Sequence, residues 1–136
     1  MLKINTLVIE DELVLFMLLE KKIAKHNLAQ KIKISNAPTL EEAVELNSKF
    51  KYDGVFLDLN LPTSSGLKTL EKALEIFDIP IIVFSSLSKD EDLAYQCIEM
   101  GAYDLIPKTV VVPEEFYRRM CYAILKYNRK KALETV

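Results

Sequence analysis

Cysteine, long apolar runs and a charge of one sign are all in short supply in this chain of 136 residues, and each shortage narrows the field. Two cysteines, Cys97 and Cys121, stand far apart with no metal-type spacing. Buried thiols in a reducing compartment are therefore expected ahead of a disulfide. The longest uninterrupted apolar run, Leu13 to Leu19, falls well short of the roughly 20 residues that span a bilayer. The opening MLKINTLVIEDE passes straight from a strand into acid and does not read as a targeting segment, so a cytoplasmic protein without membrane insertion is expected. Eighteen Lys and Arg stand against twenty Asp and Glu, a formal charge of -2, with no overall bias toward nucleic acid. Repeats, low-complexity tracts and internal linkers are missing too.

What is present is an ordinary soluble composition, 50% hydrophobic and 28% charged, in one domain large enough to bury a core. Two periodicities alternate along it. Short β-branched runs predict strands at Ile4–Ile9, Lys31–Ile34, Gly54–Leu57, Pro80–Phe84 and Asp104–Pro107. Between them, helices are predicted at Leu13–Asn27, Leu40–Phe50, Gly66–Phe77, Lys89–Met100 and Glu114–Lys131. Thr39 with Glu42, and Ser88 with Glu91, have the spacing of capping boxes. Gly101 suits a left-handed helix stop and Pro113 a first helical turn.

Five strand-then-helix units imply a flavodoxin-like α/β fold: a doubly wound, five-stranded parallel sheet of order 2-1-3-4-5 with five helices. The apolar runs Ile4–Ile9 and Gly54–Leu57 belong at its centre, and the alternating Lys-Ile-Lys-Ile run at an edge. Ligands of such sheets bind beyond the carboxyl ends of the strands, at the switch point between strands 1 and 3. Strand 1 ends in Glu10-Asp11-Glu12, strand 3 in Asp58, strand 4 in Ser85-Ser86, and strand 5 in Lys108. Crowded carboxylates repel unless a cation relieves them. An all-oxygen set with no histidine or cysteine nearby suits Mg²⁺, held by Asp11 and Asp58 with help from Glu10. In that setting Asp58 can attack phosphorus to form an aspartyl phosphate, while Lys108 and the Ser85 hydroxyl pair with phosphoryl oxygens.

These segments resemble the receiver domain of two-component response regulators. LVIEDE is similar to its acidic first loop, DGVFLDLNLP with Gly66 to its phosphoacceptor segment, PIIVFSS to its hydroxyl-bearing strand and GAYDLIPK to its lysine-bearing end. The resemblance implies a receiver over residues 1–127, with 128–136 as a helix extension or linker. It also implies that Asp58 is the phosphorylation site and that Glu10 and Asp11 are the acidic pair. The Asn60 backbone carbonyl becomes a further ligand to Mg²⁺, Ser85 the switch hydroxyl and Lys108 the phosphate-binding lysine. A histidine kinase or histidine phosphotransfer protein is the implied donor. The implied output is a downstream effector or a fused module, and no enzymatic activity is implied beyond the domain's own phosphorylation and slow dephosphorylation.

Two departures from the family pattern stand out. Thr109 follows the lysine where receivers usually have a cis proline. Leu105 occupies the position of a frequent switching aromatic, with Tyr103 two residues away on the same face of an ideal strand. The tail resembles a receiver subtype joined to sensor, kinase or cyclic-dinucleotide-synthase modules.

Further features leave alternatives open. Leu13 through Leu19 exceed the stripe one buried face needs, giving a donor-docking surface or a homodimer contact, or else deeper burial against the last helix. Phe116, Met120, Ile124 and Tyr127 form a stripe expected to pack on the sheet. Asn128–Lys131 is expected to be a solvated face, and His26 a surface residue. Other classes stay open as well: a receiver-like interaction module that is not phosphorylated, a metal-dependent phosphatase, and a flavin-mononucleotide binder.

Overall fold

The computed structural model describes residues 3–86, 91–108 and 112–135. Strands and helices alternate as β1 (Ile4–Ile9), α1 (Leu13–Lys25), β2 (Ile32–Ala37), α2 (Leu40–Lys49), β3 (Gly54–Leu57), α3 (Leu67–Ile76), β4 (Ile81–Ser85), α4 (Glu91–Met100), β5 (Asp104–Pro107) and α5 (Pro113–Glu134). All five strands pair in parallel, in the order β2-β1-β3-β4-β5. The predicted topology is therefore the observed one, with β1 and β3 side by side at the switch point.

Strand periodicity sorts the core into two layers. Leu7, Ile9, Val55, Leu57, Ile81 and Val83 point to one face and are buried under Leu40 and Ala43 of α2, Leu70 and Ala73 of α3, and Cys97 of α4. Their neighbours Val8, Phe56, Ile82 and Phe84 point to the other face, beneath Phe16, Leu19 and Ile23 of α1 and Phe116, Met120 and Ala123 of α5. Because both faces are covered, the central strands carry consecutive apolar residues at Leu7–Ile9, Val55–Leu57 and Ile81–Phe84, as a sealed parallel sheet requires. Phe116 stacks on Phe56 with ring centroids 3.7 Å apart. Met120 lies directly over Gly54, where an added Cβ would sit 2.3 Å from the Met120 sulfur; glycine is needed there for close packing. The predicted α5 stripe holds at the sheet, since Phe116 and Met120 are buried and Ile124 packs beside them. Cys97 and Cys121 are buried free thiols.

The element ends follow local chemistry. The Thr39 hydroxyl accepts from the Glu42 amide at 3.1 Å, one half of the expected capping box. Gly101, at φ 130°, closes α4, its amide and that of Ala102 both donating to the Cys97 carbonyl. The Ser88 capping box and the peptide before Thr109 involve positions outside the described residues. Helix α1 stops at Lys25 rather than Asn27: Asn27 takes a left-handed φ of 58°, and the Leu28 amide returns to the Ile23 carbonyl at 2.9 Å, a Schellman closure. Strand β2 starts at Ile32 and runs on to Ala37, beyond the predicted Ile34, because its ladder with β1 continues from Ile4–Ile32 to Ile9–Ala37.

Helix α5 continues past Lys131 to Glu134. Its lower part is fastened to the turn before β4: the Tyr127 hydroxyl donates to the Asp78 carbonyl, and the Lys131 ammonium lies 2.9 Å from the Asp78 carboxylate. That pairing holds the Asp78 carboxyl below its ordinary range. Asn128, Arg129 and Lys130 form the solvated face expected there, with Lys131 pairing with Asp78 at its edge. His26 is a surface residue, as expected, and its ring lies 2.9 Å from Glu114 at the start of α5.

Candidate functional site

The carboxyl ends of β1, β3, β4 and β5 bring most of the predicted residues to one place. Glu10 and Asp58 are 1% and 4% exposed and Ser85 is 1% exposed, whereas Asp11 is exposed at the mouth. Ligand atoms of Glu10, Asp11 and Asp58 all lie within 4.8 Å of one another. The Lys108 ammonium reaches in from the end of β5, 2.8 Å from Asp58 Oδ2 and 2.5 Å from Glu10 Oε1. The Asn60 amide donates to Asp58 Oδ1 at 3.0 Å. Ser85 ends β4 opposite Pro107, and its carbonyl accepts from the Lys108 amide at 2.9 Å. The backbone thus couples the hydroxyl-bearing strand end to the lysine.

Burial of so much charge perturbs it. Desolvation, reinforced by the neighbouring Asp58 carboxylate and only partly offset by Lys108, raises the Glu10 carboxyl to about 7. The Lys108 ammonium is opposed by burial, but Asp58 and Glu10 together outweigh that and raise it above its ordinary value. Glu10 Oε1 is buried and accepts no well-aligned hydrogen bond, so the nearby ammonium offsets its charge without satisfying its lone pairs. A buried carboxylate oxygen in that condition, within an all-oxygen set, fits a hard divalent cation. The observed set can hold such an ion through Glu10, Asp11 and Asp58.

The backbone of the first acidic loop is fixed by a residue that sequence reading passed over. Asn36, near the end of β2, donates from its side-chain amide to the Val8 carbonyl at 3.1 Å and the Glu10 carbonyl at 2.9 Å. The loop after Asp58 has its own anchor in Thr69 of α3, a fully buried threonine whose hydroxyl lies 2.8 Å from the Leu59 carbonyl. One signal was available, since a polar residue at a core position of an amphipathic helix needs a partner.

Tyr103 does not share a face with Leu105. It precedes β5 and packs on the α1/α5 side, with its ring edge-on to Tyr127 at 6.3 Å, whereas Leu105 packs with the α2/α3/α4 layer. The two-residue alternation failed because Tyr103 lies outside the strand. Helix α1 resolves another open choice. Leu13, Val14, Met17 and Leu18 are exposed, and only Phe16, Leu19 and Ile23 are buried. Beside them, a cavity of about 430 Å³ opens between α1 and the ends of β4 and β5, lined by Leu15, Leu18, Lys22, Phe84, Ser86 and Lys108.

Comparison with known proteins agrees with this geometry. Residues 6–119 match the sequence profile of the response regulator receiver domain. Over 107 residues the chain is 32% identical to a protein-glutamate methylesterase/protein-glutamine glutaminase of Bacillus subtilis, covering 72% of this chain and 30% of that protein. A relative of the same name from Clostridium acetobutylicum is 33% identical over 109 residues, 78% of this chain and 31% of its own length. The chain therefore spans about a third of these relatives. Among solved structures, the signal receiver domain of a putative LuxO repressor protein from Vibrio parahaemolyticus superposes with a TM-score of 0.76 at 21% identity, covering 98% of both chains. The response regulator domain of Thermotoga maritima CheB gives 0.73 at 23% identity over 90% of this chain and 96% of that one. No helix among the described residues is long and apolar enough to cross a membrane.

Proposed function

Because the chain belongs to the response regulator receiver domain family, the receivers of two-component signalling, we propose that Asp58 is its phosphoacceptor. The observation that carries this reading is the Lys108 ammonium held between Asp58 and Glu10 at the strand ends. A phosphohistidine donor presents its phosphorus to an Asp58 carboxylate oxygen. A new O–P bond forms, the P–N bond to the donor imidazole breaks, and the bonding electron pair returns to the ring nitrogen. Asp58 is oriented for this by the Asn60 amide on Oδ1 and Lys108 on Oδ2. Once Asp58 is phosphorylated, Lys108 pairs with a phosphoryl oxygen and Ser85 donates its hydroxyl to another, positioning and charge neutralisation being most of what this chemistry needs.

Glu10, Asp11 and Asp58, with the Asn60 carbonyl, would hold Mg²⁺. When bound, the ion supplies neutralisation of negative charge on the phosphoryl group. The exposed apolar row of α1 and the cavity beside Lys108 support docking of the donor along α1, close enough for transfer. The last part of α5, from Asn128 to Glu134, leads toward an output module or effector. The esterase and glutaminase activities in the relatives' names belong to proteins about two and a half times this length. We assign this chain only its own phosphorylation and dephosphorylation, in the cytoplasm. Incubation with Mg²⁺ and acetyl phosphate, followed by intact-mass measurement, should give a magnesium-dependent phosphoryl adduct that Asp58→Asn lacks. An unmodified native protein would leave a receiver-like interaction module in its place, and an adduct retained in Asp58→Asn would move the phosphoacceptor to another residue.

A further inference from the structure

Between Asp58 and α3 the chain makes a tight loop. The side chains of Leu59 and Leu61 are buried in the α2/α3/α4 layer, and the loop closes where the Leu61 amide donates to the Ser64 carbonyl at 2.8 Å and the Ser64 amide returns to Leu61 at 3.3 Å. Burying both leucines turns the Leu59 carbonyl inward, where an unpaired acceptor would be costly. Thr69 meets it. A threonine hydroxyl has a single proton, and here it lies on the Leu59 carbonyl at 2.8 Å. The Ser64 hydroxyl, 2.9 Å away, therefore supplies the proton of its own bond to Thr69.

The Leu59 carbonyl and the Asn60 amide are opposite ends of one planar, trans peptide group. Thr69 grips one end, and the other end donates to Asp58 Oδ1 at 3.0 Å. Rotation of that plane would release both bonds together. We infer that Thr69 is a positioning residue: its hydroxyl fixes the Leu59–Asn60 peptide plane and, through the Asn60 amide, the orientation of the Asp58 carboxylate. This rests on the phosphoacceptor reading for its chemical consequence, but the mechanical part stands on the hydrogen bonds alone.

The test uses Thr69→Val, which keeps the shape and removes the hydroxyl, and Thr69→Ser, which restores it. In Thr69→Val the Asn60 amide should exchange with solvent about tenfold faster, and the Mg²⁺ dissociation constant should rise about tenfold, the scale seen when a support behind a metal ligand is lost. Thr69→Ser should return both to within about twofold of native. A folded Thr69→Val protein with native amide exchange and native Mg²⁺ affinity overturns the role of Thr69. Where Thr69→Val does not yield folded protein, Thr69→Cys, whose thiol is a weak donor of similar volume, carries the same two outcomes. If native protein itself binds no Mg²⁺, the phosphoacceptor reading fails, and Asn60 exchange still decides the positioning role.

Discussion

With Mg²⁺ bound at the proposed site, the raised carboxyl of Glu10 would make it a proton–metal exchanger, and this has a measurable slope. With Glu10 at about 7, a proton occupies a ligand oxygen over much of the physiological range, and a cation must displace it. The apparent dissociation constant for Mg²⁺ then scales as one plus the ratio of protonated to ionised Glu10. That factor is about 11 at pH 6, about 2 at pH 7 and about 1.1 at pH 8, so affinity should improve about tenfold from pH 6 to pH 8.

The same shift sets the stability of the metal-free protein. A carboxyl raised from 4.5 to about 7 in the folded state contributes stability that is fully present below 4.5 and is lost as pH rises through about 7. Its full span is at most about 3 kcal/mol. Metal-free protein should therefore melt at lower temperature at pH 8 than at pH 5, and saturating Mg²⁺ should raise the melting temperature more at pH 8 than at pH 6. Magnesium titrations followed by thermal melts at pH 6, 7 and 8 read both slopes. Glu10→Gln supplies the control. In that variant the Mg²⁺ affinity should be weaker and independent of pH. A native dissociation constant that changes by less than twofold between pH 6 and 8 would refute the assignment of Glu10 as a protonated ligand.

Lys108→Met should destabilise metal-free protein by about 3 kcal/mol at pH 8, since removing one member of a buried charge cluster leaves the remainder uncompensated; Mg²⁺ should recover part of that loss, and urea denaturation with and without Mg²⁺ reads both effects. Leu18→Ser, at a position 49% exposed, should leave stability within about 0.5 kcal/mol yet slow phosphotransfer from a phosphohistidine protein; unchanged transfer, with small-molecule phosphorylation also unchanged, would remove α1 as the docking surface.

The fold was legible because its signals were redundant. Val55–Leu57 and Leu7–Ile9 are apolar at consecutive positions, the mark of strands sealed on both sides, and the helices between them dictate parallel crossovers. The switch-point rule then gathers Glu10, Asp11, Asp58 and Lys108 at one end of the sheet. Errors gathered where tertiary pairing overrode local pattern. Ser35, Asn36 and Ala37 carry no strand signal, but β1 extends beside them and pairs with each. Tyr103 was placed by alternation from a strand it does not belong to. The fate of the α1 leucines depended on how far α5 lies from them, a distance no local pattern encodes.

Asn36 and Thr69 mark a deeper limit. Each acts through hydrogen bonds to backbone carbonyls, and a carbonyl is present at every position, so no residue type at the receiving end reveals the contact. The charged groups were visible because function requires particular side chains at particular strand ends. Their supports were hidden because one buried hydroxyl or amide serves as well as another wherever it meets the right peptide. The line Asn36–Glu10 holds the backbone behind one carboxylate, and the line Thr69–Leu59–Asn60–Asp58 reaches the other. The precision of the site is therefore set by β2 and α3, although neither contributes an atom that would touch phosphorus.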